Sequence, residues 1–210
     1  MRVLVIGATG GTGRELVLQA LEQGHTVTAF VRNPQRMPIR HEQLILIEGN
    51  ILDEDSVNRA VQGQDAVLCA LGHKRWLIPT RILSLGTRNL VDAMKKHGVG
   101  RLVCETSLGV GDSIGKLGLY YTLFVIPFIV FFYFLDKGRQ ERIIRQSGLD
   151  WIIVRPARLT TGKKRGTYRH GSKVGNYLLT QSVSRADTAE FMLRQLTSND
   201  YLHLSPGIAY

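Results

Sequence analysis

Three glycines, Gly7, Gly10 and Gly13, stand three residues apart in the run Gly7-Ala8-Thr9-Gly10-Gly11-Thr12-Gly13, directly after the apolar stretch 3–6. Glycine in such a run lets a tight turn take positive φ and lets bare backbone approach a ligand. It also lets the next helix pack close to the preceding strand. The N–H groups that open that helix then point outward and suit linked phosphates. Placed between a strand and a helix, the GxxGxxG spacing reads as a dinucleotide-binding turn made of Gly7, Thr9, Gly10, Gly11, Thr12 and Gly13. A turn with a purely structural role is the plain alternative.

The second apolar run ends in Phe30-Val31-Arg32-Asn33, with Arg36 three residues on. A carboxylate here would bind a ribose 2′-hydroxyl and repel a 2′-phosphate, whereas guanidinium groups pair with the phosphate bidentately. Arg32 and Arg36 therefore predict NADPH over NADH, with Thr12 adding a hydroxyl; read blandly, they are solvated loop charges. Asn50 and Ile51 follow the third run, where an adenine edge would lie. Ala70, Leu71 and Gly72 close the fourth and would border the nicotinamide ribose.

Elements that position these residues follow from periodicity. Short apolar, β-branched runs at 2–6, 26–31, 44–47, 66–70, 102–105 and 151–154 alternate with segments of helical period, such as Leu83-Leu90-Val91-Met94. Continuous apolarity marks strands covered on both sides, hence an α/β, doubly wound parallel sheet with helices on both faces. Gly24, Gly98 and Gly148 each stand where a helix should stop. With 210 residues, the chain reads as one domain over 1–210. From about residue 156 the reading is a small C-terminal lobe on the substrate side, with a basic loop over 156–185 and a last helix over 186–196.

The formal net charge is +10, and between residues 151 and 186 there is no acidic residue, although Arg158, Lys163, Lys164, Arg165 and Lys173 fall there. Only Tyr168 and Tyr177 are at hand to stack bases, so a small anionic ligand is favoured over nucleic acid. Residues 117–135 are uncharged, nearly long enough to cross a bilayer. The strands flanking them must join one sheet, and Pro127 should break a helix midway, which argues against a transmembrane span. In order of preference, the segment reads as a lid over a planar ligand, a face for homo-oligomers, or shallow membrane contact aided by the basic loop. The two cysteines, Cys69 and Cys104, follow apolar stretches and read as buried free thiols. No metal site follows from them. With no secretory leader before the first strand, the expectation is a cytoplasmic protein.

The residues together resemble the atypical short-chain dehydrogenase/reductases, within them the branch of the biliverdin-IXβ and flavin reductases. Matching stretches include Gly7 to Gly13, Val31-Arg32, Leu71-Gly72, Arg88-Asn89-Leu90-Val91, His97-Gly98-Val99, Thr106-Ser107 and Phe191-Met192-Leu193-Arg194. The resemblance implies a Rossmann fold and an NADPH-dependent oxidoreductase that reduces a flavin or an open-chain tetrapyrrole, the flavin being substrate rather than tightly bound cofactor. It implies Ser107 near the reacting centre, with Thr106 and Pro156 beside the cofactor. Where the branch carries a histidine two residues after that proline, this chain has Arg158. Arginine cannot shuttle a proton near neutrality, but it can clamp an anion or stabilise developing negative charge. Ser107 and Arg158 are therefore the catalytic candidates, a strand-end cap and a solvated cation being their bland readings. Tyr133 and Lys137 form YxxxK, by which other short-chain reductases set a phenol and an ammonium on one helical face; core packing is the competing account of Tyr133. A second functional class is a non-catalytic, NmrA-like sensor that binds NADP(H) and docks a protein partner.

Overall fold

Val3 and Val5 lie to one side of the first strand and Leu4 and Ile6 to the other, and all four are buried. Such a strand must be covered on both faces. In the computed structural model, which describes residues 1–73 and 75–210, it is β1 (Arg2–Ile6), at the middle of a sheet. The other parallel strands are β2 (Thr26–Val31), β3 (Leu44–Glu48), β4 (Ala66–Cys69), β5 (Arg101–Glu105) and β6 (Asp150–Pro156). Their order, β3-β2-β1-β4-β5-β6, reverses direction at β1, as in a doubly wound sheet. All six strands fall where the apolar runs predict, within two residues at either end.

Helices α1 (Gly11–Glu22) and α6 (Arg185–Arg194) pack together on one face, burying Leu16, Val17 and Phe191 against Val3 and Val5. On the other face α2 (Glu54–Val61), α3 (Ile82–Lys96) and α5 (Phe131–Arg145) cover Leu4, Ile6 and Leu102 with Val57, Leu90 and Ile144. Gly24, Gly98 and Gly148 all take positive φ between helix and strand.

One expectation is corrected and one is met. The C-terminal residues do not all form a separate lobe. Strand β10 (Gly207–Ala209) runs parallel beside β6, and β8 (Arg169–Gly171) pairs antiparallel on its outer edge, so both extend the main sheet. Strands β7 (Arg158–Thr160) and β9 (Ser182–Ser184) pair with each other as a two-stranded ribbon, which the Tyr210 N–H ties to the end of the chain by donating to Ser182 O at 3.0 Å. Along 117–135, Pro127 lies in the short helix α4 (Ile126–Phe128), which closes the helical stretch begun at Tyr121, and the helix breaks midway as expected. The break comes after Phe128, and the axes of Tyr121–Phe128 and Phe131–Arg145 diverge by 95°. No single described helix is long and apolar enough to cross a membrane.

Candidate active site

Parallel register sets the site. Ile6 pairs with Cys69, Cys69 with Cys104, and Glu105 with Val154, so the residues that leave these strands emerge side by side at the carboxyl edge. Backbone bonds continue the alignment past the strand ends: Ala70 donates to Ile6 O at 2.9 Å, Thr106 to Val154 O at 2.8 Å and Leu108 to Pro156 O at 3.0 Å. Gly7, Ala70 to Gly72, Thr106, Ser107 and Pro156 thus line one edge, at the crevice where ligands of open α/β sheets bind.

The glycine turn is built as its spacing predicts. Gly7 has φ +79°, and a Cβ there would overlap the Ala70 carbonyl oxygen. A Cβ on Gly13 would strike the Gly7 carbonyl, because α1 lies so close beneath the turn. Gly10 N–H donates to Gly7 O at 2.8 Å and closes it. Helix α1 starts with no side-chain cap and no acidic residue in its first turn, so its leading N–H groups and positive dipole end remain available to an anion.

Arg32 and Arg36 are exposed at the end of β2 and in the following turn (Pro34–Arg36), which Asn33 Oδ1 caps by accepting from Gln35 N–H at 2.9 Å. Neither arginine has an ion pair among the described residues. A bare-backbone cradle, a helix dipole and two uncommitted guanidiniums are what a diphosphate with a 2′-phosphate requires; the residues fit NADPH.

Other candidates are placed differently from their expected roles. The Thr12 hydroxyl does not face outward; it is buried and donates to Glu105 Oε1 at 3.1 Å. Thr106 likewise donates inward, to Glu141 Oε1 at 2.7 Å. Asn50 is exposed, but its side-chain oxygen accepts from Leu52 N–H at 3.1 Å and holds its own loop. Ile51 is buried against Gly86 of α3, and Asn89 Nδ2 grips its carbonyl at 3.1 Å. Ser107 is half-buried, and its hydroxyl donates to Leu108 O at 2.8 Å. Arg158 is exposed at the start of β7, its backbone N–H donating to Gln181 O at 3.2 Å. The structure therefore brings Ser107 to the edge but sets Arg158 on the ribbon.

Tyr133 stands at the same edge. A Cβ on Gly72 would lie 3.4 Å from its hydroxyl, and its ring meets His73 edge-on with centroids 5.0 Å apart. One helical turn on, the buried Lys137 holds its Nζ 5.2 Å from the Tyr133 ring centroid. Burial works against the Lys137 ammonium, yet the Tyr133 phenol and the Glu105 carboxylate outweigh it, and its pKa lies above the ordinary lysine value. Burial pushes Glu105 above the usual carboxylate range, against the pull of Lys137 and of the Thr12 hydroxyl. Tyr133 and Lys137 thus form one pair at the carboxyl edge, and Glu105 and Thr12 a second beneath the glycine turn, the charge of Glu105 reaching Lys137 through the core.

Three residues of this site escaped sequence reasoning. Glu105 ends β5 as a lone acid in an apolar run, a signal that a buried partner exists. His73 follows Gly72; burial lowers its pKa, and its Nδ1 accepts from Arg75 N–H at 3.1 Å while Nε2 lies 3.0 Å from Thr80 Oγ1. Arg185 opens α6 with its side chain laid over Gly11, where a Cβ would meet it, so a cation flanks the start of α1. Only the acid-free run around Arg185 hinted at it.

The chain was compared with known proteins. The family described as NAD(P)H-binding matches residues 7–199. An uncharacterized chloroplastic protein of Arabidopsis thaliana is 30% identical over 95% of this chain and 73% of its own length. A 3 beta-hydroxysteroid dehydrogenase/Delta 5-->4-isomerase of Mycobacterium tuberculosis is 36% identical over 96% of this chain, which spans 57% of that relative. Among solved structures, ChuY, an anaerobillin reductase from Escherichia coli, superposes with a TM-score of 0.82 over 100% of this chain and 97% of ChuY. At 23% identity, that is a likeness of fold.

Proposed function

Because the chain belongs to the NAD(P)H-binding family, we propose that it is an NADPH-dependent reductase that passes hydride to a planar conjugated acceptor, a flavin or an open-chain tetrapyrrole. The observation that carries the redox reading is the Tyr133 hydroxyl at Gly72 with Lys137 buried behind it, on the edge that holds the glycine turn. When bound, the cofactor supplies hydride from its nicotinamide ring.

The protein's own residues would do the rest. Gly7, Gly10 and Gly13 leave room for the diphosphate, the N–H groups opening α1 and the Arg185 cation offset its charge, and Arg32 and Arg36 hold the 2′-phosphate. Ala70, Leu71 and Gly72 border the nicotinamide ribose. Tyr133 holds a proton at its hydroxyl for the acceptor atom that gains negative charge, and Lys137 steadies the phenol as it gives that proton up. Glu105 is a positioning residue whose buried negative charge favours the ammonium form of Lys137. Ser107 offers a second hydroxyl at the edge. Arg158 stands at the start of the ribbon, available to a carboxylate or phosphate of the acceptor once one is bound. The flavin and tetrapyrrole reading is supported by the motif resemblance along the chain.

Tyr133 also favours a second reading, reduction of a carbonyl, in keeping with the steroid dehydrogenase name of the mycobacterial relative. The test mixes the protein and NADPH with FMN, riboflavin, biliverdin or a ketosteroid and follows absorbance of the reduced nicotinamide. Oxidation with a flavin or bilin supports the first reading, and oxidation with the ketone alone supports the second. NADPH binding with no turnover on any acceptor would overturn both in favour of a redox sensor.

A further inference from the structure

The exposed apolar side chains of this protein are concentrated on three segments, those that follow β4 and β5 and the one between β8 and β9. Leu77 and Ile78 lie on the first, Phe124 and Phe128 on the second, Leu178 and Leu179 on the third; Phe128 and Leu178 are each 74% exposed. Contacts join them into one face. Leu119 N–H donates to Leu178 O at 3.2 Å and Leu117 bridges Asn176. Pro79, Thr80 and Arg81 share a cleft of about 290 Å³ with Phe132 and Leu135. So large an apolar surface is unusual on a soluble monomer and marks a contact site.

Charge selects the occupant. The loops 70–81, 106–135 and 157–184 carry only one of the chain's 17 acidic residues, Asp112, and the buried Arg155 and the neighbouring Arg145 hold it. The same loops carry Arg75, Arg81, Lys116, Lys163, Lys164 and Lys173. A second copy docked on this face would bring two cationic rims together, which like-charge repulsion opposes. An anionic lipid surface meets both requirements at once: its phosphates attract the rim, and its acyl boundary receives the Phe and Leu side chains. Trp76, Tyr120 and Tyr177 are exposed on the same face, amphipathic rings of the kind that settle at headgroup depth.

We propose that this face docks the protein on the surface of an anionic bilayer, without crossing it, and turns the carboxyl edge of the sheet toward the lipid. The surface stands apart from the redox reading, so its test uses no acceptor. The protein is floated with phosphatidylcholine vesicles made with and without phosphatidylglycerol, at low and high salt. The expected result is flotation with the anionic vesicles only, weakened by salt and lowered about tenfold in Phe128→Ser/Leu178→Ser.

Trp76 gives an independent readout that leaves Phe128 and Leu178 unchanged. It is 46% exposed while the other tryptophan, Trp151, is 6% exposed, so anionic vesicles should shift the emission to the blue and Trp76→Phe should abolish the shift. Lys163→Glu/Lys164→Glu, on the exposed basic loop, should weaken flotation while leaving NADPH affinity intact. Three results would overturn the proposal: no flotation by a protein with a folded circular-dichroism spectrum, equal flotation with neutral vesicles, or a dimer in sedimentation velocity that covers this face.

Discussion

Arg32 and Arg36, with no ion pair among the described residues, stand at the end of the strand next to the glycine turn. Each charge-assisted hydrogen bond is worth about 1.5–3 kcal/mol, so Arg32→Asp should weaken NADPH by about 10- to 100-fold and NADH far less; equal losses would misplace the 2′-phosphate. Tyr133→Phe should lower turnover by about 10²–10⁴-fold with NADPH affinity unchanged. Should Ser107→Ala carry that loss instead, the proton belongs to the serine. These positions differ in how far the sequence announced them. Gly7 and Gly13 were legible because no residue with a Cβ fits their places. The inward turn of Thr12 was not, because its partner Glu105 lies 93 residues away and only the fold brings them together.

Two buried networks tie elements together around the site. Arg155 of β6 is buried with Glu141 of α5, at 2.6 Å between Nη2 and Oε2, and Thr106 donates to the same carboxylate. Glu141→Gln would leave the Arg155 charge with the exposed Asp112 carboxylate, 2.7 Å away, as its remaining ion-pair partner, which puts the cost at the lower end of the range for buried pairs. Removing one partner of a buried pair costs about 3–5 kcal/mol, which urea unfolding will report as a lower midpoint at unchanged slope. Asp187 of α6 pins the basic loop by accepting from Arg165 N–H at 3.0 Å and Gly166 N–H at 2.8 Å, as well as from Ser184 and Tyr210.

Burial alone would raise the pKa of Asp187, but the Tyr210 hydroxyl, the Gly166 N–H and the Ser184 hydroxyl outweigh it and hold it below the ordinary aspartate value. A lowered folded-state pKa means stability that is present above the unfolded value and lost as pH falls through the folded one. Asp187→Asn should therefore cost about 1–3 kcal/mol at neutral pH and flatten the acid limb of the stability profile. At this scale the six central strands were legible from their continuous apolar runs. The return of 207–209 into the sheet was not: Gly207, Ile208 and Ala209 are too few to carry a period, and their place is set by β6 and β8.

Across the whole molecule, charge and apolarity are sorted to one end. The carboxyl edge gathers the glycine turn, the Tyr133–Lys137 pair, exposed aromatic loops and a nearly acid-free rim, while most carboxylates lie elsewhere. The uncharged stretch 117–135 shows why sequence alone stops short: its composition ranks a lid before an interface and a lipid surface but decides between none of them. Only the 95° bend after Phe128 and its contacts with 176–179 reveal that it spreads along the edge of the sheet. The central claim is that this edge holds a dinucleotide with a 2′-phosphate. Calorimetric titration of the unmodified chain with NADPH and NADH tests it most directly. Saturable heat with both coenzymes and tighter binding of NADPH is the expected result; heat with neither would contradict it.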